Sequence, residues 1–552
     1  MKAPSVLLLG TLPLVACGGS DPGADPGPQA APAPWFTEQA VARGIDFVHR
    51  SGAADERLMP EIMCGGAGLF DADGDGDLDA YLVQADGVRR PAPERAANQL
   101  YENAGEGRFR NVTEGSGADD RGYGNGVACG DVDGDGRVDL YVTNVGANAL
   151  LRNRGDLRFE RLASGAEDEG WGTSAAFFDA DRDGDLDLYV CNYLVWSADN
   201  ELPCVNLQGA PDYCSPITYE SPAPDRLFLN DGGAGFTDVS IPAGTFAVGN
   251  GLGVGILDVD QDGALDVFVA NDGMPDRLWR NEGVREGIPR FQDAAQALGL
   301  AVDGDGIAKA GMGVAIADLD GDGGEDLLVG NLARESDSIF LNRSGRFADS
   351  TRRLGMGASS KPFTRFGLGF HDFDRDGALD LFQANGRVQL GDTRLADPFA
   401  EEDMLFRGLP DGGFEAVVPR GGTRATLRAT GRAAAFGDVD GDGAIDVLVL
   451  NRDAPVQLLI GRAQAVGGWV GIDPRNAAGA PDLHAVVELE TTRGTRVARA
   501  RAAYSYQASN DPRVHFGLAP GEEVRRVTLR WGDGTSKAID FLKAGGWRVV
   551  RR

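Results

Sequence analysis

Twenty-eight aspartates recur in seven groups with one internal spacing, D-x-D-x-D-G-x-x-D. The groups are Asp71, Asp73, Asp75 and Asp79; Asp131, Asp133, Asp135 and Asp139; Asp179, Asp181, Asp183 and Asp187; Asp258, Asp260, Asp262 and Asp266; Asp318, Asp320, Asp322 and Asp326; Asp372, Asp374, Asp376 and Asp380; and Asp438, Asp440, Asp442 and Asp446. Carboxylates at loop positions 1, 3, 5 and 9 are hard oxygen ligands, the set that suits Ca²⁺ at about 2.3–2.6 Å. Glycine at position 6 allows the sharp turn. Position 7 would ligate through its carbonyl, so its side chain is free to vary, and it does: Asp77, Arg137, Asp185, Ala264, Gly324, Ala378 and Ala444. Position 8 is apolar except at Glu325.

An EF-hand would need a bidentate Glu at position 12 and a following helix. Position 12 is Leu82, Val142, Val190, Val269, Val329, Gln383 and Val449, and the flanking residues favour strand. A dockerin fails for want of the same helices. Acidic turns without metal would crowd the carboxylates uncompensated, whereas seven Ca²⁺ ions would take the formal charge from −31 to −17. About seven Ca²⁺ sites are therefore expected, with a strong contribution of metal to folding.

The elements that must position these loops repeat with them. A short apolar run follows each loop, such as LDAYLVQ, VDLYVTN, LDLYVCN and LDVFVAN, and reads as a strand. A second element recurs as LYEN (Leu100–Asn103), LLRN, LFLN, LWRN and IFLN, with LFRG and LLIG as weaker copies. A third is an aromatic-led strand at Phe36, Phe109, Phe159, Phe236, Phe291, Phe347 and Phe414. No Phe strand follows the seventh loop, and one precedes the first. The strand around Phe36 should therefore complete the last unit and close a ring without open edges. The expected fold is all-β: a seven-bladed β-propeller over 35–462, then a small β-sandwich over 463–552, where apolar and polar residues alternate between turns at Gly494 and Asp533-Gly534.

These loops and strands resemble FG-GAP or VCBS repeats, as in integrin α-subunit propellers. The segments Tyr504–Asp511 (YSYQASND), Arg513–Leu518 (RVHFGL) and Val527–Thr535 (VTLRWGDGT) resemble the ASPIC and UnbV domain. A propeller joined to that domain is the architecture of the cartilage acidic protein family. The resemblance implies extracellular Ca²⁺ binding and a role in adhesion or interaction.

Charge and export signals agree. Residues 463–552 carry fourteen basic and nine acidic side chains, which leaves −36 on the residues before them. Nucleic acid is excluded as a partner, since phosphate binding needs a basic surface. Residues 1–17 read as a lipoprotein signal: Lys2, a short apolar run, then Leu14-Val15-Ala16-Cys17, similar to the lipobox of bacterial lipoproteins, with Cys17 the lipidated residue. The run is too short to span a membrane. Residues 18–34, rich in Pro and Gly, read as a disordered tether. The expectation is an exported protein held by its lipid alone on the bacterial outer membrane, at the cell surface or at the periplasmic face.

Of the five remaining cysteines, Cys204 and Cys214 form the best local disulfide pair. They lie in an insertion, about 191–225, that also holds Trp196, Tyr213 and Tyr219 and that we read as a recognition loop for an extracellular protein or glycan. The four histidines, His49, His371, His484 and His515, have no catalytic spacing, and no GxSxG, HExxH or phosphate loop is present. The expected function is a non-enzymatic calcium-binding surface protein. The alternative is a Ca²⁺-dependent carbohydrate-active enzyme such as a polysaccharide lyase, which would need basic residues facing a cleft beside the metal.

Overall fold

In each repeat a strand runs into the aspartate loop and pairs antiparallel with the strand that leaves it. The register is the same seven times: Phe70, Gly130, Phe178, Leu257, Ala317, His371 and Gly437 lie opposite the position-9 aspartates Asp79, Asp139, Asp187, Asp266, Asp326, Asp380 and Asp446. The computed structural model describes Met1 and residues 33–53, 56–410, 412–462, 467–540 and 544–552. Cys17, nearly all of the expected signal peptide and the tether through residue 32 lie outside the described residues. All elements below belong to the unit Pro34–Arg552.

Seven sheets form, each holding one loop; six are four-stranded, and the first gains a fifth strand, Ala508–Ser509, from the C-terminal part. Their inner strands are Ala67–Phe70, Tyr123–Gly130, Gly172–Phe178, Gly251–Leu257, Gly311–Ala317, Arg365–His371 and Gly431–Gly437. Each inner strand contacts the next, and the last contacts the first, so the ring is closed. The outer strand of the seventh sheet is Phe36–Glu38, with Phe36 paired to Gly461. Both chain ends of the ring thus share one sheet.

Seven apolar clusters fill the seven gaps between neighbouring sheets. Each outer-strand Phe is buried in the gap between its own sheet and the preceding one: Phe109 sits with Leu448 and Leu458 of sheet 7, and Phe36 with Phe382 and Leu405 of sheet 6. This explains the aromatic lead of that strand. A large flat side chain at the widest part of the wedge excludes water from both sheets.

The C-terminal part is a sandwich of a three-stranded sheet (Gly468–Arg475, Val514–Leu518, Trp547–Arg551) and a four-stranded one (Val486–Thr491, Thr495–Arg499, Val524–Arg530, Ser536–Ile539) around Val470, Val487, Leu489, Phe516 and Leu529. Its segment Tyr504–Asp511 leaves the sandwich and enters the axis of the ring. Ala508 and Ser509 pair parallel with Ala67 and Gly68 of sheet 1. Ser505 exchanges backbone hydrogen bonds with Val314 of sheet 5 (2.6 and 2.9 Å), and its Oγ donates to Ala434 O of sheet 7 at 2.8 Å. The Gln507 N–H donates to Ser174 Oγ of sheet 3 at 3.0 Å, and Ser509 Oγ accepts from Cys129 N of sheet 2 at 3.2 Å. The inner strands admit it because they are lined with small residues: a Cβ on Gly66 would lie 2.7 Å from Gln507 O.

Candidate metal centres

The aspartate loops gather on one face of the ring, each built as a tight coil over the end of its inner strand. Position 6 has positive φ in all seven, from 83° at Gly443 to 100° at Gly184, which explains the invariant glycine. Position 4 is left-handed too, and the chain meets this with glycine at four loops but with Arg182 (66°), Gln261 (58°) and Arg375 (56°) at the other three. Nothing in the spacing marked that position.

Within the coil each aspartate has a separate task. The position-9 carboxylate is buried and bridges two backbone amides. Asp79 accepts from Ala72 N at 2.8 Å and from Asn103 N at 2.7 Å, and the other six loops repeat the arrangement. The position-5 carboxylate accepts from the position-7 amide in every loop, as Asp75 does from Asp77 N at 2.8 Å. Oxygens of Asp71, Asp73 and Asp79 converge within 4.8 Å of one another, as do those of Asp131, Asp133 and Asp139, of Asp179, Asp181 and Asp187, and of Asp318, Asp320 and Asp326. In the fourth loop the converging set is Asp258, Asp260 and Asp262.

The donor set fits a divalent cation. Buried carboxylate oxygens of Asp133, Asp179, Asp258, Asp374 and Asp440 have no hydrogen-bond partner. An anion withdrawn from water and left without a partner is costly. Burial, followed by repulsion from positions 1 and 3, pushes Asp79, Asp139, Asp187 and Asp266 up to about 8 against the two amide bonds each accepts. Burial likewise raises Asp131, Asp179, Asp318 and Asp438 to about 6. Without a cation these loops favour protons, and a cation would take their place.

The asparagine that closes the second repeated element is part of the site, a role its position in the sequence did not suggest. Asn153 Nδ2 donates to Val138 O of its own loop at 3.1 Å and to Ala72 O of the preceding loop at 2.8 Å. Asn103, Asn230, Asn281 and Asn342 make the same bridge. The weaker copies end in Gly408 and Gly461, where a Cβ would meet a carbonyl oxygen at 2.2 and 2.7 Å.

The C-terminal part lies over this face. Glu325, the polar exception at position 8, is largely but not fully buried, accepts from Asp258 N at 2.9 Å and pairs with Arg499 (3.2 Å) and Arg501. Burial alone would raise its carboxyl, but the two guanidinium groups hold it at about 2. His484 Nε2 accepts from Asp179 N at 3.0 Å, and Gly443 O lies 2.9 Å from His515 Nε2. Burial lowers His371 and His484 to about 3 and His49 and His515 to about 4.

Cys204 and Cys214 are joined by a disulfide, Cα–Cα 5.3 Å, while Cys64, Cys129 and Cys191 are buried thiols. The insertion's aromatic side chains turn inward rather than out. Trp171 packs edge-on against Tyr193 (5.1 Å) and Trp196 (5.8 Å), and Tyr213 Oη donates to buried Glu61 at 3.1 Å. They close the end of the axis opposite the aspartate loops. Its large exposed apolar side chains are aliphatic: Val195, Val205, Leu207 and Ile217.

The model of the FG-GAP-like repeat matches residues 71–142, 131–190, 258–329 and 318–382, and that of the ASPIC and UnbV domain matches 475–547. Cartilage acidic protein 1 of Homo sapiens is 26% identical over 488 residues, 85% of this chain and 69% of that protein. Its Xenopus tropicalis counterpart is 29% identical over 302 residues, 51% of this chain and 42% of that protein. Among solved structures, an Agrocybe aegerita lectin that recognises non-reducing terminal N-acetylglucosamine aligns at 16% identity and TM-score 0.39, over 71% of this chain and 86% of its own. A rhamnogalacturonan lyase aligns at 12% and 0.31, over 76% and 91%.

Proposed function

We propose that this chain, which carries FG-GAP-like repeats and an ASPIC and UnbV domain, is a calcium-binding extracytoplasmic surface protein that acts by adhesion or by holding a protein or glycan, without catalysis. One observation carries the reading: a loop with one hydrogen-bond geometry, repeated seven times, gathers carboxylate oxygens within 4.8 Å of one another in at least five of its copies and leaves several buried oxygens unpartnered. Calcium suits it better than magnesium, because the loops offer many carboxylates in an irregular cage where Mg²⁺ demands a near-ideal octahedron. About seven ions would be held by the position 1, 3, 5 and 9 aspartates.

The loop face is covered by the C-terminal part, so a ligand would meet the opposite face, where the insertion presents Val205, Leu207 and Ile217. The histidines, held neutral by burial, are poorly placed for acid–base chemistry. Cys17 would supply the membrane anchor. No helix among the described residues is long and apolar enough to cross a membrane.

Thermal melts of the purified protein in Ca²⁺ and in chelator test the reading. A large downward shift in chelator is expected, and near-identical melts overturn it. Cys17→Ala should release the protein from the membrane fraction, and retention there overturns the anchor.

A further inference from the structure

The seven loops are alike within themselves and unlike in their surroundings. Among the described residues, loop 7 alone is held from both chain ends. Trp547 Nε1 donates to Asp438 Oδ2 at 2.8 Å, joining Gly443 N (3.0 Å) on the same oxygen. Arg513 stacks over Trp547, 4.2 Å from the ring centroid, and donates to Asp438 O at 3.2 Å. Trp469 lies so close to Gly443 that a Cβ there would meet its indole at 2.0 Å. From the other end, Arg43, just beyond the ring-closing strand Phe36–Glu38, pairs with Asp440 at 2.9 Å. The other Asp440 oxygen, Oδ1, is buried without a partner.

At two other loops a C-terminal arginine approaches the first aspartate's carboxylate, Arg475 at 3.6 Å from Asp71 and Arg499 at 3.5 Å from Asp258, while at the third loop His484 meets the Asp179 backbone amide. A guanidinium on the position-1 carboxylate competes with a metal cation there. An indole N–H does not: it orients the oxygen and brings no charge. In loop 7 the guanidinium of Arg43 takes Asp440 Oδ2 at position 3 and leaves Oδ1 without a partner. Loop 2 receives no hydrogen bond from a C-terminal side chain among the described residues.

We infer that loop 7 is the clamp of the molecule, with Trp547 the residue that positions Asp438 for a cation, so that occupancy of this one loop ties the C-terminal sandwich and the N-terminal closing strand to the ring. The inference rests on the calcium reading above and adds that the loops are unequal. Partners that orient a ligand change metal affinity by about 10–100-fold. A cation here also stiffens the oxygens to which Trp547 and Arg43 are attached.

The test compares matched variants of the full chain: Asp442→Asn in loop 7 and Asp135→Asn in loop 2, both at position 5. Hydrogen exchange in saturating Ca²⁺ should rise over Val514–Leu518, Trp547–Arg551 and Phe36–Glu38 in the first and stay at the wild-type level in the second. Trp547→Phe keeps the apolar contact and removes the donor. It should weaken one class of site about tenfold in a Ca²⁺ titration and lower the tryptophan-sensitised emission of Tb³⁺ substituted for Ca²⁺, with Trp469 beside Gly443 remaining as a sensitiser. Equal exchange in the two Asn variants, or unchanged titration and emission in Trp547→Phe, overturns the clamp. A protein whose melt ignores chelator overturns the calcium reading instead, so the two failures are distinguishable.

Discussion

Asn153 ties two aspartate loops that belong to different sheets through its Nδ2, while its Oδ1 accepts from Gly155 N at 2.9 Å. Asn153→Ala leaves two buried carbonyls short of a donor, which costs about 1–3 kcal/mol. Urea melts in Ca²⁺ should show that loss, and a midpoint within error of wild type contradicts it. His49 offers a second test. Burial lowers it to about 4 against the attraction of Asp453, with Arg452 and Arg432 adding to the lowering. Between pH 6.5 and 4 the unfolded chain therefore binds a proton that the folded chain refuses, so this contribution is present above 6.5 and drains away as pH falls toward 4. His49→Gln should flatten that part of the stability–pH curve. At this scale the sequence was legible where a residue serves its own loop: glycine at position 6 and the spacing of the aspartates follow from local geometry. Asn153 and Glu325 were opaque because their partners stand 81 and 174–176 residues away.

Each outer strand delivers a Phe into the wedge between two sheets, and the one that closes the ring does so from the opposite chain end. Phe36 is 1% exposed and meets Phe373 and Phe382 edge-on at 5.3 and 5.8 Å. Phe36→Ala empties that wedge and loosens the sheet that joins the ends. The expected cost is about 3–5 kcal/mol, read as a lower unfolding midpoint in Ca²⁺; a loss under about 1 kcal/mol would mean the closing strand is held by its ladder alone. The order of repeated elements made this closure readable, since an outer strand was missing at one end and spare at the other. The path of Tyr504–Asp511 was not readable. Its alternation suits a sandwich strand, and only the ring of small residues on seven separate inner strands leaves room for it on the axis. Ser505 and Gln507 sit at positive φ (79° and 52°), a conformation that non-glycine residues adopt at a cost the surrounding contacts must offset.

At the scale of the whole molecule, charge sets the terms. Residues 1–462 carry −36 and the C-terminal region +5. Much of the acid is concentrated in loops on one face, and the arginines of the C-terminal part lie against that face, Arg475 beside Asp71 and Arg499 beside Asp258 and Glu325. Attraction between the two parts lowers self-repulsion without removing it, because the basic residues are too few. Divalent cations inside the loops and screening outside them are then two separate remedies. They are distinguished by an ion too bulky for an oxygen cage. Tetramethylammonium chloride shortens the Debye length from about 10 Å at 0.1 M to about 3 Å at 1 M and cannot replace Ca²⁺ between carboxylates a few ångströms apart. In chelator, adding it should raise the melting temperature part of the way toward the Ca²⁺ value, by weakening repulsion between loops. In saturating Ca²⁺ the same addition should change little. If the salt restores the full Ca²⁺ value, diffuse repulsion alone destabilises the metal-free ring and coordination contributes nothing beyond it; if it restores none, the cost lies wholly within each loop.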